Sequence, residues 1–276
     1  MEQINLQDWE VFSQRIYSSS YKSKDGRFML KTATNDENAI NTLKAEYEIA
    51  SMACSLGIPT PKVYSFVQVG PEDLPGIIYE NINDKISFSR ALAKEPEKLE
   101  ILAKQFAEVI KKFHSVEADT TKLPSFESRV RDGLANTKIF TEKEKESLLE
   151  RLEKMPKGTK CLHGDLQFSN AISSPMGNYI IDLSTMSYGN PLYDVGYIYH
   201  LATYMPDETI QAIFHINKET FNKAWGFVVK YYFDTDNIDD FIEMVKPYAK
   251  FGTLPILCLV PDADSVIIAK DFILTK

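Results

Sequence analysis

Cysteine and histidine are scarce in this sequence, with three Cys and four His among 276 residues. Cys54, Cys161 and Cys258 cannot all pair within one chain, and their spacing matches no zinc motif. Neither a disulfide framework nor a structural zinc site is expected, and the three read as buried free thiols. The histidines are unclustered, which argues against a metal-dependent hydrolase. Long apolar runs are missing too, so no membrane partner is expected. The opening MEQINLQDWEVF lacks a positive start followed by an apolar stretch, so no signal peptide is expected and a cytoplasmic setting is the default. Positive charge is in the minority: 31 Lys and Arg stand against 39 Asp and Glu, a net charge of -8. That argues against a nucleic-acid partner, whose binding gains from neutralised phosphates. It leaves a nucleotide open, because one local positive group is enough for a triphosphate. No Gly-x-x-x-x-Gly-Lys-Ser/Thr sequence occurs, which excludes a P-loop enzyme, and no internal repeat is present.

What is present is a 44% hydrophobic fraction, enough for a substantial core, in a pattern that changes along the chain. Residues 11–31, VFSQRIYSSSYKSKDGRFMLK, read as two extended stretches around a Ser-rich corner, then a hairpin turn at Asp25-Gly26 and a strand ending at Lys31. Leu43, Tyr47, Ala50 and Cys54 recur at helical spacing, which predicts a helix over 38–56 that Gly57 caps and Pro59 and Pro61 stop. KVYSFVQV and IIYEN read as strands around a PEDLPG turn. After residue 83 helices dominate. Leu102, Phe106, Ile110 and Phe113 form one stripe on a helix over 99–115, and a second helix is expected at 141–154 with a solvated, mixed-charge face. Short strands and turns fill 159–196, and helices near 208–216, 218–232 and 238–250 follow. The expected fold class is α+β, with a small sheet-rich lobe over 1–82 and a larger, mainly helical lobe over 83–276.

The segment richest in chemistry is CLHGDLQFSNAISSPMGNYIIDLSTMSYGNPLYDVG, residues 161–196. His163, Asp165 and Asn170 crowd into a polar loop. Two short strands joined by a Pro-Met-Gly-Asn turn form a hairpin that Asn170 enters and Asp182 leaves. One carboxylate and one amide oxygen suit magnesium, which takes few protein ligands when substrate phosphates supply others. Asp165 is placed to accept a proton from an attacking hydroxyl, and His163 reads as a structural hydrogen-bonding residue. Each residue alone also fits a turn cap.

HGDLQFSN resembles the catalytic loop of the aminoglycoside phosphotransferase and choline kinase superfamily, relatives of the protein kinases. The Asp165-to-Asn170 step is that of protein kinases, with Gly164 where they carry Arg. IIDLSTMSYGNPLYDVG resembles the superfamily's metal-binding strand and the acidic motif behind it. The pattern is similar to the superfamily's bacterial small-molecule kinases of unassigned acceptor more than to its antibiotic-resistance enzymes. The resemblance implies a bilobal protein-kinase-like fold with an antiparallel sheet and one long helix in the smaller lobe. It implies a phosphotransferase that uses ATP and Mg2+, with Asp165 catalytic, Asn170 and Asp182 on the metal, and Asp194 supporting the loop. Lys31 resembles the lysine on the inner phosphates and Glu46 its ion-pair partner, with Glu48 and Glu37 as rivals. The backbone from Glu80 to Ile82 is the expected adenine hinge. Ser18, Ser19 and Ser20 stand where relatives often place glycine over the phosphates. The lobes are expected to meet near residue 83, with Lys31 and Glu46 on one side of a cleft and Asp165, Asn170 and Asp182 on the other.

The acceptor is expected to be a small hydroxylated molecule, such as a sugar, an amino alcohol or an aminoglycoside. The alternatives are a protein Ser/Thr kinase, disfavoured by the short span after Asp182 and the missing Ala-Pro-Glu, and a silent nucleotide-binding protein. Asp236, Asp239, Asp240 and Glu243 fit either a cationic substrate or the solvated first turn of a helix.

Overall fold

Strand pairing in the first third of the chain builds a six-stranded sheet. Its strands are β1 (Gln3–Ile4), β2 (Trp9–Gln14), β3 (Ser18–Ser23), β4 (Phe28–Ala33), β5 (Val63–Val69) and β6 (Leu74–Glu80). They lie in the order β1-β5-β6-β4-β3-β2, antiparallel apart from β1 beside β5. The computed structural model describes residues 2–14, 16–259 and 264–275, so Arg15, inside the run read as strand, lies outside the described residues. The chain up to Lys85, together with Ile172–Ser184, forms one compact unit. Ile86–Ala171 and the chain from Thr185 onward form the second.

Three expectations about this sheet need correction. Ser18, Ser19 and Ser20 are not a corner but the start of β3, paired with Ala33, Thr32 and Lys31 of β4. Ladder hydrogen bonds outweigh the turn preference of serine. The strand through Lys31 runs on to Ala33, because Thr32 and Ala33 are buried. The turn before β6 is also shorter than PEDLPG, since Asp73 takes the left-handed conformation (φ 52°) and the strand resumes at Leu74. Pro75 is tolerated there because the β4 pairing stops at Gly76, one residue short of it.

Helix α1 (Glu37–Ser55) covers this sheet with Ala39, Leu43, Ala50 and Ala53. Asp36 caps its start by accepting from the Ala39 N–H at 2.9 Å. Gly57, at φ 73°, ends it as expected, donating to the Cys54 carbonyl.

The second unit opens with β7 (Ile86–Ser87) and helices α2 (Phe88–Lys94), α3 (Leu99–His114), α4 (Phe126–Asn136) and α5 (Glu142–Glu153). Strand β8 (Lys160–Leu162) follows. The chain then forms β9 (Ala171–Ser174) and β10 (Gly177–Ile180), whose hairpin groups mostly with the first unit. β11 (Ser187–Gly189) pairs with β8. The rest is helical: α6 (Leu192–Tyr204), α7 (Asp207–Phe214), α8 (Lys218–Phe233), α9 (Ile238–Gly252), α10 (Leu254–Leu259) and α11 (Asp264–Leu274). Among the described residues no helix is long and apolar enough to cross a membrane. The α3 stripe is buried as expected, and α5 starts on a reciprocal Thr141–Glu144 capping box.

Helices α2, α4, α6, α10 and α11 were not expected. The most consequential is α6, because residues 193–202 are all buried and an all-round buried helix has no amphipathic stripe to read. It crosses α9 at glycine contacts. A Cβ on Gly196 would sit 2.5 Å from the Ala249 backbone nitrogen, and one on Gly252 would collide with the Tyr193 carbonyl oxygen. Gly196→Ala gains about 1 kcal/mol of helix propensity. The backbone displacement it forces costs more, roughly 1–3 kcal/mol. A lower urea-unfolding midpoint is expected for Gly196→Ala, and a raised midpoint would contradict this close crossing.

Candidate active site

In the first unit the strand period places Lys31. It pairs with Ser20 of β3 on one side and Ile77 of β6 on the other. Its ammonium lies 2.6 Å from Glu46 Oε2. The other oxygen of Glu46 accepts from the Tyr79 hydroxyl at 2.8 Å. Burial and the Glu46 charge push the Tyr79 phenol far above its ordinary value, so it remains a neutral donor. Glu46 is thus held from two sides, while the Lys31 side chain keeps 33% of its surface exposed and can reach a further anion. Neither Glu37, in the first turn of α1, nor Glu48 takes this pairing. The strand position of Tyr79, two residues from Ile77, puts it on the face of Lys31.

Two cavities, of about 370 Å³ and 200 Å³, meet at this ion pair, and Lys31 and Glu46 line both. Ser18 lines the larger and Ser20 the smaller. Ser19 lines neither, because alternate strand residues face opposite ways. Asp182 and Glu80 also line the smaller cavity. The Ile180 N–H donates to the Pro59 carbonyl at 2.7 Å, tying the end of β10 to the turn behind α1. Asp182 then leaves the strand in the left-handed conformation (φ 62°), with Ser184 Oγ 3.4 Å from its Oδ1. Asp is one of the few residues that tolerates this backbone. Lys85, unnoticed in the sequence, lines the same cavity, and burial and nearby Lys22 pull its ammonium below its ordinary value.

The backbone N–H groups at the end of β6 and just beyond it are mostly committed. The Glu80 N–H donates to Lys62 O and the Asn81 N–H to Arg27 O. Ile82 is buried, and its N–H makes no hydrogen bond among the described residues.

In the second unit Leu166 and Phe168 are fully buried and anchor the loop that follows β8. Phe168 packs on Phe106 and Phe221. Asn170 donates through Nδ2 to the Asp165 carbonyl (2.8 Å) and to Asp165 Oδ2 (3.0 Å). That leaves Asn170 Oδ1 as the oxygen available to a cation. The Tyr197 hydroxyl is hydrogen-bonded to Asp165, and burial with that charge drives the phenol well above its ordinary value. His163 is fully buried, and its Nδ1 accepts the Asp165 N–H at 3.2 Å. Gly164, at φ 82°, cannot be replaced, since a Cβ there would lie 2.5 Å from the Thr185 carbonyl oxygen.

The support beneath this loop is Asp194, 1% exposed. It accepts the backbone N–H groups of His163 (2.6 Å) and Gly164 (2.9 Å) and faces His114 Nε2 at 3.1 Å. His114 Nδ1 in turn meets the Tyr232 hydroxyl at 2.8 Å. Burial pushes the Asp194 carboxyl up, but the hydrogen bond with His114 and the backbone N–H of His163 outweigh it and bring it below the ordinary 3.8. A depressed carboxyl stabilises the fold fully above its unfolded value and loses that contribution as pH falls through the native one. Asp194→Asn should therefore cost roughly 3–5 kcal/mol at neutral pH. In urea unfolding followed downward from pH 7, the gap to the wild type should close in acid. Equal stability at pH 7 would show that the carboxylate does not carry the loop.

The model of the phosphotransferase enzyme family matches residues 8–225. No curated protein sequence matches the chain. Solved structures do. The aminoglycoside phosphotransferase APH(2")-IIa, in a ternary complex with streptomycin and ATP, superposes with a TM-score of 0.62 at 15% identity, covering 98% of this chain and 92% of that one. A choline/ethanolamine kinase family protein from Mesorhizobium loti gives 0.60 at 14%, covering 96% and 85%. ADP-bound APH(2'')-Ib gives 0.59 at 14%, covering 97% and 92%. At these identities the structures establish the fold, and the family model spans most of the sequence. The chain belongs to the phosphotransferase enzyme family and has its protein-kinase-like α+β fold.

Proposed function

We propose that this protein transfers the γ-phosphoryl group of magnesium-ATP to a hydroxyl of a small molecule. The observation that carries the reading is the chain Tyr79–Glu46–Lys31, opening on a cavity that Asp182 also lines. An ammonium fixed by a second-row carboxylate suits the inner phosphates of a nucleotide. Ser18 and Ser20 offer hydroxyls on the same cavities, and Ser19 at most its backbone. Ile82 offers its N–H to the adenine edge, beside Glu80.

Asp182 and the Asn170 amide oxygen are the groups assigned to magnesium. Among the described residues no three His, Cys, Asp or Glu gather as a metal cage. An ion that takes one carboxylate, one amide and nucleotide phosphates needs none. Magnesium held by these two groups would neutralise charge that builds on the phosphate oxygens. Asp165 receives and orients the acceptor's hydroxyl proton, with Asn170 and Tyr197 fixing its carboxylate. Phosphoryl transfer through a loose transition state asks more for positioning than for strong basicity, so an ionised Asp suffices. A small acceptor is favoured over a protein because nine residues, 183–191, separate Asp182 from the start of α6.

Calorimetry with ATP, with and without magnesium, tests the first half. Lys31→Ala should weaken binding roughly 10- to 100-fold, the value of a lost charged hydrogen bond. Asp182→Asn, which keeps a residue tolerant of positive φ, should lose most of the magnesium-dependent part. A wild type without magnesium-dependent ATP affinity would overturn the proposal. Asp165→Asn should bind ATP normally but turn over roughly 10²–10⁴-fold more slowly. Near-normal turnover in that variant would remove Asp165 from the reaction.

A further inference from the structure

The second unit contains a cavity of about 410 Å³ lined by Asp165, within the size range of small-molecule sites. Its other walls include Tyr197 and His200 of α6, Ile213 and Phe214 of α7, and Leu257 of α10. Among the described residues that line it, Asp165 is the one carboxylate, and none is Lys or Arg. That carboxylate already accepts hydrogen bonds from Asn170 and Tyr197. A cationic ligand would have to pair with the group that must also take the hydroxyl proton, or go unpaired. An unpaired buried charge is strongly destabilising.

Gln167, Thr209 and Thr253 add polar groups to the lining, and His200 is the buried ring among them. It is 2% exposed and lines the cavity, and its buried Nδ1 has no hydrogen-bond partner among the described residues. Its ring is fixed against Tyr204 and Phe272, at centroid distances of 5.7 and 5.4 Å. Burial lowers its pKa to about 4, so at neutral pH it offers a hydrogen bond without a charge. The acidic residues that suited a cation in the sequence are spent elsewhere. Asp236 pairs with Lys230, Glu243 with Lys246, and Asp240 with the Asn237 amide, and none of them, nor Asp239, lines the cavity.

We infer that this cavity holds the phosphate acceptor, and that the acceptor is an uncharged alcohol with an apolar body and one further polar group beside the His200 ring. The inference rests on the phosphotransferase reading above and narrows its acceptor from sugars, amino alcohols and aminoglycosides to neutral, largely apolar alcohols.

The test is calorimetry on the full chain with phenylpropanol, with phenylalaninol (the same skeleton bearing an ammonium group), with hydroxyphenylpropanol and with gentamicin. Phenylpropanol should bind more tightly than phenylalaninol by about tenfold or more, the equivalent of 1.4 kcal/mol. Hydroxyphenylpropanol should bind more tightly still, and His200→Phe should abolish that gain over phenylpropanol. Ile213 is 47% exposed at the cavity, so Ile213→Glu is compatible with folding and should reverse the order in favour of phenylalaninol. This arm decides the matter even where His200→Phe does not fold. Phenylalaninol or gentamicin binding as tightly as phenylpropanol, or no neutral probe binding at millimolar concentration, would overturn the inference. Binding is read without turnover. Loss of magnesium-ATP affinity would therefore remove the proposed function and leave this result standing, whereas a preference for the cations would remove only the acceptor class.

Discussion

A carboxylate with 1% of its surface exposed holds two consecutive backbone N–H groups of the loop that carries Asp165. Much of the second unit can be understood as what Asp194 requires. A buried charge is tolerated only when nearly every lone pair is used, and here His114, backed by Tyr232, uses what the two amides leave. His114 comes from the end of α3 and Tyr232 from α8, so a chain of polar contacts ties two helices to one loop. Asp194 itself sits in the first turn of α6, which also presents Tyr197 to Asp165 and His200 to the neighbouring cavity. A rigid α6 is therefore a condition for the site. The glycine contacts with α9 supply that rigidity by bringing two backbones into direct contact.

The first unit solves a different problem. It must keep one ammonium pointed at open space without letting it fold back on the surface. Glu46 does this from a helix and Tyr79 fixes Glu46 from a strand, so both ends of the ion pair rest on regular elements. Such a pair contributes modestly to stability when partly exposed. Its value lies in fixing the position of the charge. Asp182, at the end of a strand, holds a left-handed backbone beside the cavity.

The local chemistry was legible in the sequence where spacing is short. The eight residues from His163 to Asn170 form one hydrogen-bonded loop, and the pairing of Lys31 with Glu46 rather than Glu37 or Glu48 is the one the structure has. Helices with a solvated face, such as α3 and α5, were legible from their stripes. What escaped depends on contacts distant in sequence. Tyr79 meets Glu46 across 33 positions, and nothing near Tyr79 announces it. Helix α6 has no polar face, so its residues look like any apolar run, and its role in carrying Tyr197 and His200 went unseen. The serines misled because their turn preference is a local property, whereas the ladder that claims them is set by β4. The acidic group at 236–243 fitted either a cationic substrate or the first turn of a helix, and the structure gives those carboxylates to neighbouring lysines and a helix start.

On the proposed function, Asp165 directs the γ-phosphoryl group of ATP onto an alcohol oxygen. Phosphorus NMR of the wild-type protein with magnesium-ATP and hydroxyphenylpropanol tests it most directly, since it reports the fate of the phosphoryl group itself. The account predicts that the γ-phosphate resonance is replaced by ADP and by one alkyl phosphomonoester signal, and that Asp165→Asn suppresses the ester. ADP with inorganic phosphate alone, or an ester that forms equally fast without the Asp165 carboxylate, would contradict it.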